Sequence, residues 1–320
     1  MTDIQMLPLR FPGGKRQLYS FVYQVLEENN LIGCRYIEPY CGGAGLALTL
    51  LLSNCVNQIF LNDIDHKIYA FWYCALNMTD QLCELIEKTP VTIEEYRRQS
   101  EIYRSSKDML QLGFATLFLN RTNRSGILIG GPIGGYEQNS KYKIDCRFNK
   151  NKIIGAIRQI ASFRNSIKLY NLDALDFLRR IKAMQFKTKT LLFIDPPYYK
   201  KGRRLYTNFY IHEDHCKVAD FLANDLRYLP WILTYDDADE IREIYSNYDV
   251  PYIMKRIKYS AARKRYETEL LFFNNLIIPF QGKDGDKIFD NLELFSEVKE
   301  NRQELAKIHH KLCQTAQRSH

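Results

Sequence analysis

The chain has 320 residues and no apolar run that could cross a bilayer. Its longest strongly apolar stretch, around Leu46 to Leu52, is far shorter than the ~20 residues a membrane helix needs. Met1 to Leu9 shows no basic segment followed by an apolar run, so no secretory signal is expected. Cysteine is present but never as a C-x-x-C pair. Cys34, Cys41, Cys55, Cys74, Cys83, Cys146, Cys216 and Cys313 therefore read as free, mostly buried thiols of a reducing cytoplasm, with no zinc site. Internal repeats and low-complexity linkers are also missing, which argues against a solenoid or a string of modules.

What is present suits one large domain, or a domain with a sizeable insertion. The hydrophobic fraction, 46%, is enough for a substantial core. Lys and Arg number 45 against 37 Asp and Glu, a net charge of +8. This mild basic bias permits a polyanionic partner without requiring one.

The pattern along the chain is α/β, then helical, then α/β again. A Gly-rich loop, Phe11-Pro12-Gly13-Gly14-Lys15, precedes a helix at about 17–29. A strand at 35–38 stops at Pro39. The loop Cys41-Gly42-Gly43-Ala44-Gly45 leads to a helix at 46–52, and a strand at 58–61 ends in Asn62-Asp63. Residues 93–119 read as charged helix, followed by a loop rich in glycine (Gly126, Gly130, Gly131, Gly134, Gly135). Strands return at 168–171, 190–194, 231–234 and 269–273, with a helix at 174–182. The strand at 190–194 is apolar throughout, as expected of one buried on both faces. Residues 291–317 read as a charged amphipathic helix. The expected architecture is one Rossmann-like, mostly parallel sheet interrupted by a mostly helical insertion.

Asp195-Pro196-Pro197-Tyr198 follows directly on the buried strand, at the end where ligands bind in open α/β sheets. These residue types suit methylation of an exocyclic amine. The lone pair of such a nitrogen is delocalised into its ring, so a site must hold both protons while the nitrogen rehybridises. The Asp195 carboxylate is one acceptor and a backbone carbonyl of Pro196-Pro197 another. The prolines fix the backbone that presents them. Tyr198 offers a flat face for an extruded base. The plainer alternative is a proline-terminated strand with a buried tyrosine.

Gly42, Gly43 and Gly45 let a backbone approach a ligand, and Asp63 stands where an acid binds a ribose diol. Alone, this layout fits an NAD-type enzyme equally well; G-G-A-G in place of G-x-G-x-x-G, and the D-P-P-Y, weigh against that. Asp173 is either an acceptor for a cofactor's adenine amine or a helix N-cap. Lys15 is either beside the cofactor or target base, or a solvated lysine in a turn.

Asn120, Arg121, Asn123 and Arg124 are types that read base edges, although Asn120 and Arg121 can equally order their loop. Lys200, Lys201, Arg203 and Arg204, with Tyr206, Phe209 and Tyr210 interleaved, suit phosphate contact and a cover over the site. Lys255, Arg256, Lys258, Arg263, Lys264 and Arg265 form a second basic cluster. His212 and His215 have the spacing of a metal pair but no third ligand, so a helix-start or packing role is expected.

Taken together, these stretches resemble the DNA adenine methylase family, from Leu9 to about Asn274. The resemblance is carried by Phe11-Pro12-Gly13-Gly14-Lys15, Tyr36-Ile37-Glu38-Pro39-Tyr40-Cys41-Gly42-Gly43, Leu119-Asn120-Arg121-Thr122-Asn123-Arg124-Ser125-Gly126, Asp195-Pro196-Pro197-Tyr198, Asn208-Phe209-Tyr210 with Asp214-His215, and Glu269-Leu270-Leu271. It implies S-adenosylmethionine as cofactor, double-stranded DNA as partner, and N6 methylation of a flipped adenine by an orphan or restriction-modification enzyme. It implies Asp195, Pro196, Pro197, Tyr198 and Lys15 as catalytic. The implied cofactor set is Phe11, Gly13, Lys15, Glu38, Pro39, Tyr40, Gly42, Gly43, Ala44, Gly45, Asp63, Ile64, Asp173, Ala174 and Asp195. The implied DNA set is Asn120, Arg121, Asn123, Arg124, Ser125, Lys200, Arg203 and Arg204. The expected division is 1–75 and 153–280 for catalysis, 76–152 for target recognition, and a helical tail at 281–320, in a cytoplasmic monomer without metal. The commonest family loop has an aromatic where Arg124 stands and Asn where Ser125 stands, so the familiar GATC specificity is not carried over. Kindred N-P-P-Y loops methylate RNA or protein glutamine, and a non-catalytic DNA-binding module is a further alternative. Asp in place of Asn, the insertion and the intact motifs favour DNA adenine.

Overall fold

The computed structural model describes residues 6–11, 14–186, 189–200, 210–260 and 264–279, with the backbone alone at 258–260 and 264–265. The expected helix at 291–317 and, of the basic stretch at 200–204, all but Lys200 lie outside the described residues.

Seven strands form one sheet: β1 (Cys34–Glu38), β2 (Val56–Asn62), β3 (Ile167–Tyr170), β4 (Thr190–Ile194), β5 (Trp231–Asp236), β6 (Tyr252–Ser260) and β7 (Lys264–Asn274). Their order is β3-β2-β1-β4-β5-β7-β6. The first five pair in parallel, and β7 runs antiparallel between β5 and β6. The chain builds outward from β1 to β3 on one side, then returns to β4 and builds outward on the other. The order thus reverses between β1 and β4, and the loops leaving those strands diverge to open a crevice. This topology bears out the expected Rossmann-like fold.

Period-two alternation gives the sheet two cores. Tyr36, Leu191 and Phe193 belong to one apolar cluster, with α1 (Tyr19–Glu28) and α2 (Gly45–Leu52). Ile37, Leu192 and Ile194 belong to the other, with α8 (Ala174–Ala183), α9 (His212–Asp220) and α10 (Asp239–Ser246). Every residue of β4 is buried, as its apolar run predicts.

Between β2 and β3 lie α3 (His66–Asn77), α4 (Thr79–Lys88), α5 (Ile93–Ser105), α6 (Met109–Thr122) and α7 (Lys150–Ser162). α3 packs on α6 and α7, α5 on α6, and α4 on α7. Phe114, Leu117 and Phe118 of α6 share the first apolar cluster with α1 and α2, so this layer is continuous with the sheet's own core.

The hairpin of β6 and β7 changes the reading of the second basic cluster. Strand alternation turns Lys255 inward with Ile253 and Ile257 and leaves Arg256 outward. Lys255 is 1% exposed, with Nζ 4.6 Å from the Phe21 ring centroid, and burial lowers it to about 8. It is a packed residue, not part of a solvated DNA-facing run. No helix among the described residues is long and apolar enough to cross a membrane.

Candidate active site

A cleft of about 1020 Å³ opens at the carboxyl ends of β1, β2 and β4. Phe11, Lys15, Glu38, Pro39, Tyr40, Gly42, Gly43, Ala44, Gly45, Asp63, Ile64, Asp173, Ala174 and Asp195 all line it. Gly13 lies outside the described residues.

The loop after β1 is shaped by backbone that only certain residues tolerate. Gly42 has φ +45° and Ala44 φ 48°, both left-handed. A Cβ on Gly43 would sit 3.0 Å from Phe11 Cδ2. The glycines are therefore needed by the Phe11 ring as well as by any ligand. Trp72 Nε1 donates to the Gly42 carbonyl at 2.8 Å, and Gly42 N donates to Asp63 Oδ2 at 2.9 Å. Asp63 Oδ1 accepts from Asp65 N at 2.9 Å. Burial raises Asp63 to about 6 despite these amides. Glu38 accepts from Tyr36 Oη at 3.1 Å, and burial pushes it to about 8. Asp173 takes the N-cap role, with Oδ1 capping α8 through Leu175 N at 2.9 Å, and the residue also lines the cleft.

Asp195 receives two donors on one oxygen. Lys15 Nζ lies 3.0 Å from Oδ1, and Thr234 Oγ1 donates to Oδ1 at 2.7 Å. Oδ2 has no partner among the described residues. Burial raises the Asp195 carboxyl above the ordinary aspartate value, while Lys15 opposes that rise and Glu269 adds to it. Lys15 is not a solvated turn lysine: it is 6% exposed, donates to Tyr198 Oη at 2.9 Å and meets Glu269 Oε1 at 3.1 Å. Tyr198 Oη in turn donates to Glu269 Oε1 at 2.7 Å.

This network corrects the reading of Tyr198. Only 4% of the residue is exposed, and its hydroxyl is spent on Glu269, so its ring is not an open stacking face in this structure. Tyr210, whose hydroxyl meets Tyr40 Oη at 2.9 Å, lines the cleft, as do Phe11 and Tyr40.

Three supporting residues escaped sequence reasoning. Asn62 is fully buried and ties three loops together. Its Nδ2 donates to the carbonyls of Pro39 and Leu172 at 3.0 Å each, and its Oδ1 accepts from Leu172 N at 3.0 Å. Asp236, at the end of β5, accepts from Tyr199 N at 2.9 Å and Lys200 N at 3.0 Å and so fixes the chain leaving the D-P-P-Y. Glu269 arrives from β7. A polar residue ending a strand is the available signal for the first two; Glu269, within Glu269-Leu270-Leu271, carries no such local signal of its role.

Residues 11–260 match the D12 class N6 adenine-specific DNA methyltransferases. The chain belongs to that family. As a member it is a methyltransferase that modifies N6 of adenine in DNA. Among curated proteins it is 22% identical, over 83% of this chain and 98% of the relative, to the type II methyltransferase M.MjaIII of Methanocaldococcus jannaschii. Among solved structures, the rRNA methyltransferase aviRa from Streptomyces viridochromogenes matches with a TM-score of 0.36 at 12% identity, covering 82% of this chain and 86% of that one.

For this methyltransferase, two expected base readers are corrected. Asn120 is fully buried: Oδ1 accepts from Arg10 N at 2.7 Å, and Nδ2 donates to the carbonyls of Arg10 at 2.8 Å and Gly126 at 2.9 Å. Asn123 is equally buried, with Nδ2 on the carbonyls of Ile127 and Leu128 at 2.8 Å and Oδ1 accepting from Tyr96 Oη at 2.8 Å. Both amide protons of each side chain are spent on the loop and both side chains are buried, so neither can donate to a base edge. Arg121 is buried in the cleft wall, Arg124 is exposed, and Ser125 lines the cleft with φ 56°. Lys200 Nζ donates to the Asp237 carbonyl at 2.9 Å. Arg203 and Arg204 lie outside the described residues. His215 packs against Tyr199, Tyr210 and Tyr235, with Nδ1 2.8 Å from Tyr235 Oη.

The structural role of Asn120 is open to measurement. Asn120→Ala is expected to lower unfolding free energy by about 2–4 kcal/mol in urea titration, because buried partners on Arg10 and Gly126 are left unmade. An unchanged denaturation midpoint would return Asn120 to the list of possible base readers.

Proposed function

We propose that the chain binds S-adenosylmethionine in the cleft and methylates an adenine flipped out of a specific double-stranded DNA sequence. The observation that carries this reading is the position of Asp195, with Oδ1 held by Lys15 and Thr234 and Oδ2 left for a substrate.

The residues fit the cofactor. The cleft is large enough for a nucleoside carrying an amino acid. Ile64, 49% exposed at its edge, offers an apolar wall for a purine. Asp63 suits a ribose diol, Asp173 an adenine amine, and Glu38 an ammonium group. Bound there, S-adenosylmethionine supplies an electrophilic methyl group on a sulfonium.

The chain's own residues do the rest. Asp195 Oδ2 accepts one proton of the adenine amine, and the Pro196 carbonyl accepts the other. Both acceptors favour a nitrogen whose lone pair has left the ring. Lys15 keeps Asp195 ionised against the burial that raises it, so the acceptor remains a carboxylate. The N6 proton released on methylation departs along the same hydrogen bonds. Residues 76–152 serve as the target-recognition unit, with Arg124 and Ser125 as its sequence-reading candidates and Lys200, Arg203 and Arg204 as phosphate contacts. The enzyme acts as a cytoplasmic monomer, in a restriction-modification pair or alone.

Tritiated methyl transfer to duplex DNA, RNA and protein tests the substrate. Sequencing of methylated DNA from expressing cells gives base, position and motif together. Incorporation into RNA or protein instead of DNA would overturn the reading.

Glu38 gives a pH signature. Burial raises its folded value to about 8, so folding favours the protonated form. The stability it contributes is full below its ordinary value and is lost as pH rises through about 8. Glu38→Gln is expected to flatten the fall in melting temperature across this window, and to remove a rise in S-adenosylmethionine affinity over the same pH range. Parallel melting profiles of wild type and variant would refute the assignment.

A further inference from the structure

One wall of the cleft carries charge that the chemistry at Asp195 does not use. Arg121, near the end of α6, is 5% exposed and lines the cleft. Its Nη2 contacts the Met6 thioether at 3.2 Å, and its buried Nε has no partner. Arg10 lines the same wall, and its buried Nη1 is likewise without a partner. Arg147, exposed on the turn Ile144–Arg147, completes the group. The three guanidiniums are near enough to act on one another. Burial first, then Arg10 and Arg147, lowers Arg121 to about 9, and Arg147 also lowers Arg10. None of the three forms an ion pair with an acid among the described residues.

A buried guanidinium is ordinarily paired, because its desolvation is costly and an opposite charge offsets it. Three arginines converging on one wall of the cleft, none of them ion-paired among the described residues, form a site whose counter-charge arrives with a ligand. We propose that Arg10, Arg121 and Arg147 form the receptor for a backbone phosphate of the DNA strand that carries the target adenine. Guanidinium forks match the tetrahedral oxygens of a phosphodiester, and several can share one phosphate. The cluster stands on α6 and the Ile144–Arg147 turn, beside the loop carrying Arg124 and Ser125. The acids suited to the cofactor, Glu38 and Asp63, end β1 and follow β2. Exposed Lys152 adds a further positive charge to the cleft. Asn120 holds the arrangement together, since it bonds both backbone groups of Arg10 and is the neighbour of Arg121 in α6. Arg121 thus keeps a DNA role, but by charge beneath the surface and not by reading a base edge. The inference rests on DNA being the substrate.

The test uses the full chain and a labelled mixed-sequence duplex over a salt series. Arg121→Met is expected to weaken duplex binding about tenfold and to reduce the slope of log affinity against log salt by about one. Its melting temperature should equal or exceed that of wild type, because an uncompensated buried charge is removed; a merely structural arginine would lower it. S-adenosylmethionine affinity by calorimetry should not change. Arg147→Gln, at an exposed position, should reduce the salt slope similarly and keeps the test decisive if Arg121→Met fails to fold. Unchanged slopes overturn the proposal. So does lost S-adenosylmethionine affinity with intact duplex binding, which would assign the cluster to the cofactor's carboxylate. A wild-type chain that does not methylate DNA would instead remove the underlying reading. A wild type that methylates, with unaltered slopes in the variants, removes only the phosphate receptor.

Discussion

Asp195→Ala is expected to cut methyl transfer to duplex DNA about a thousandfold or more, while the fold and most S-adenosylmethionine binding survive. The geometry gives the reason. Lys15 and Thr234 converge on Oδ1, which leaves Oδ2 as the acceptor for an incoming amine. Alanine removes that acceptor, and the backbone carbonyl of Pro196 alone leaves one amine proton unheld. The chain leaving the motif stays in place, because Asp236 binds the amides of Tyr199 and Lys200 independently of Asp195. Asp195→Asn keeps a neutral acceptor and should lose less. Tritium incorporation at saturating DNA and cofactor, with circular dichroism as a fold control, measures both variants. An Asp195→Ala enzyme with near-normal turnover would refute the mechanism.

Lys15→Met is expected to lower stability by about 3–5 kcal/mol and to move the acid limb of the pH–rate profile upward. Lys15 stands between Asp195 and Glu269, at 3.0 and 3.1 Å, and is itself 6% exposed. Without it, two carboxylates face each other across a buried space, and each favours protonation of the other. Burial already raises Asp195, and the coulombic effect of Lys15 opposes that rise. The active form is the carboxylate, so activity grows as pH rises through the Asp195 value. Removing the cation lifts that value and shifts the limb to higher pH. Recovery of rate at alkaline pH would support a role in holding the Asp195 charge; a pH-independent loss would point to packing alone. Urea titration gives the stability term.

Much of the fold was legible because its signals are local. The apolar run 190–194 suits a strand buried on both faces, and β4 is one. The residues that stop the strands, Pro39 after β1 and Asp195 after β4, mark the carboxyl ends at which the cleft opens. β6 was not legible, because Lys255 and Arg256 mask a period-two pattern. Burying one lysine against Phe21 is a tertiary event that hydropathy does not register. Asn120 and Asn123 misled for a related reason. An asparagine has the same donors and acceptors whether it reads a base or closes a loop, and only the positions of Arg10, Gly126, Ile127 and Leu128 decide which.

The amino-acid sequence by itself determined the sheet-forming segments, the glycine loop, the D-P-P-Y and, through them, membership of the adenine-specific methyltransferases. These depend on the periodicity and chemistry of a few consecutive residues. Tertiary structure alone decided which charges meet. It brought Glu269 of β7 to Lys15, a separation of 254 residues in the chain, and left Arg10, Arg121 and Arg147 together without an ion-paired acid among the described residues. Charge pairing depends on distance and burial, and both are set by how the strands and helices pack, not by the order of residues along the chain.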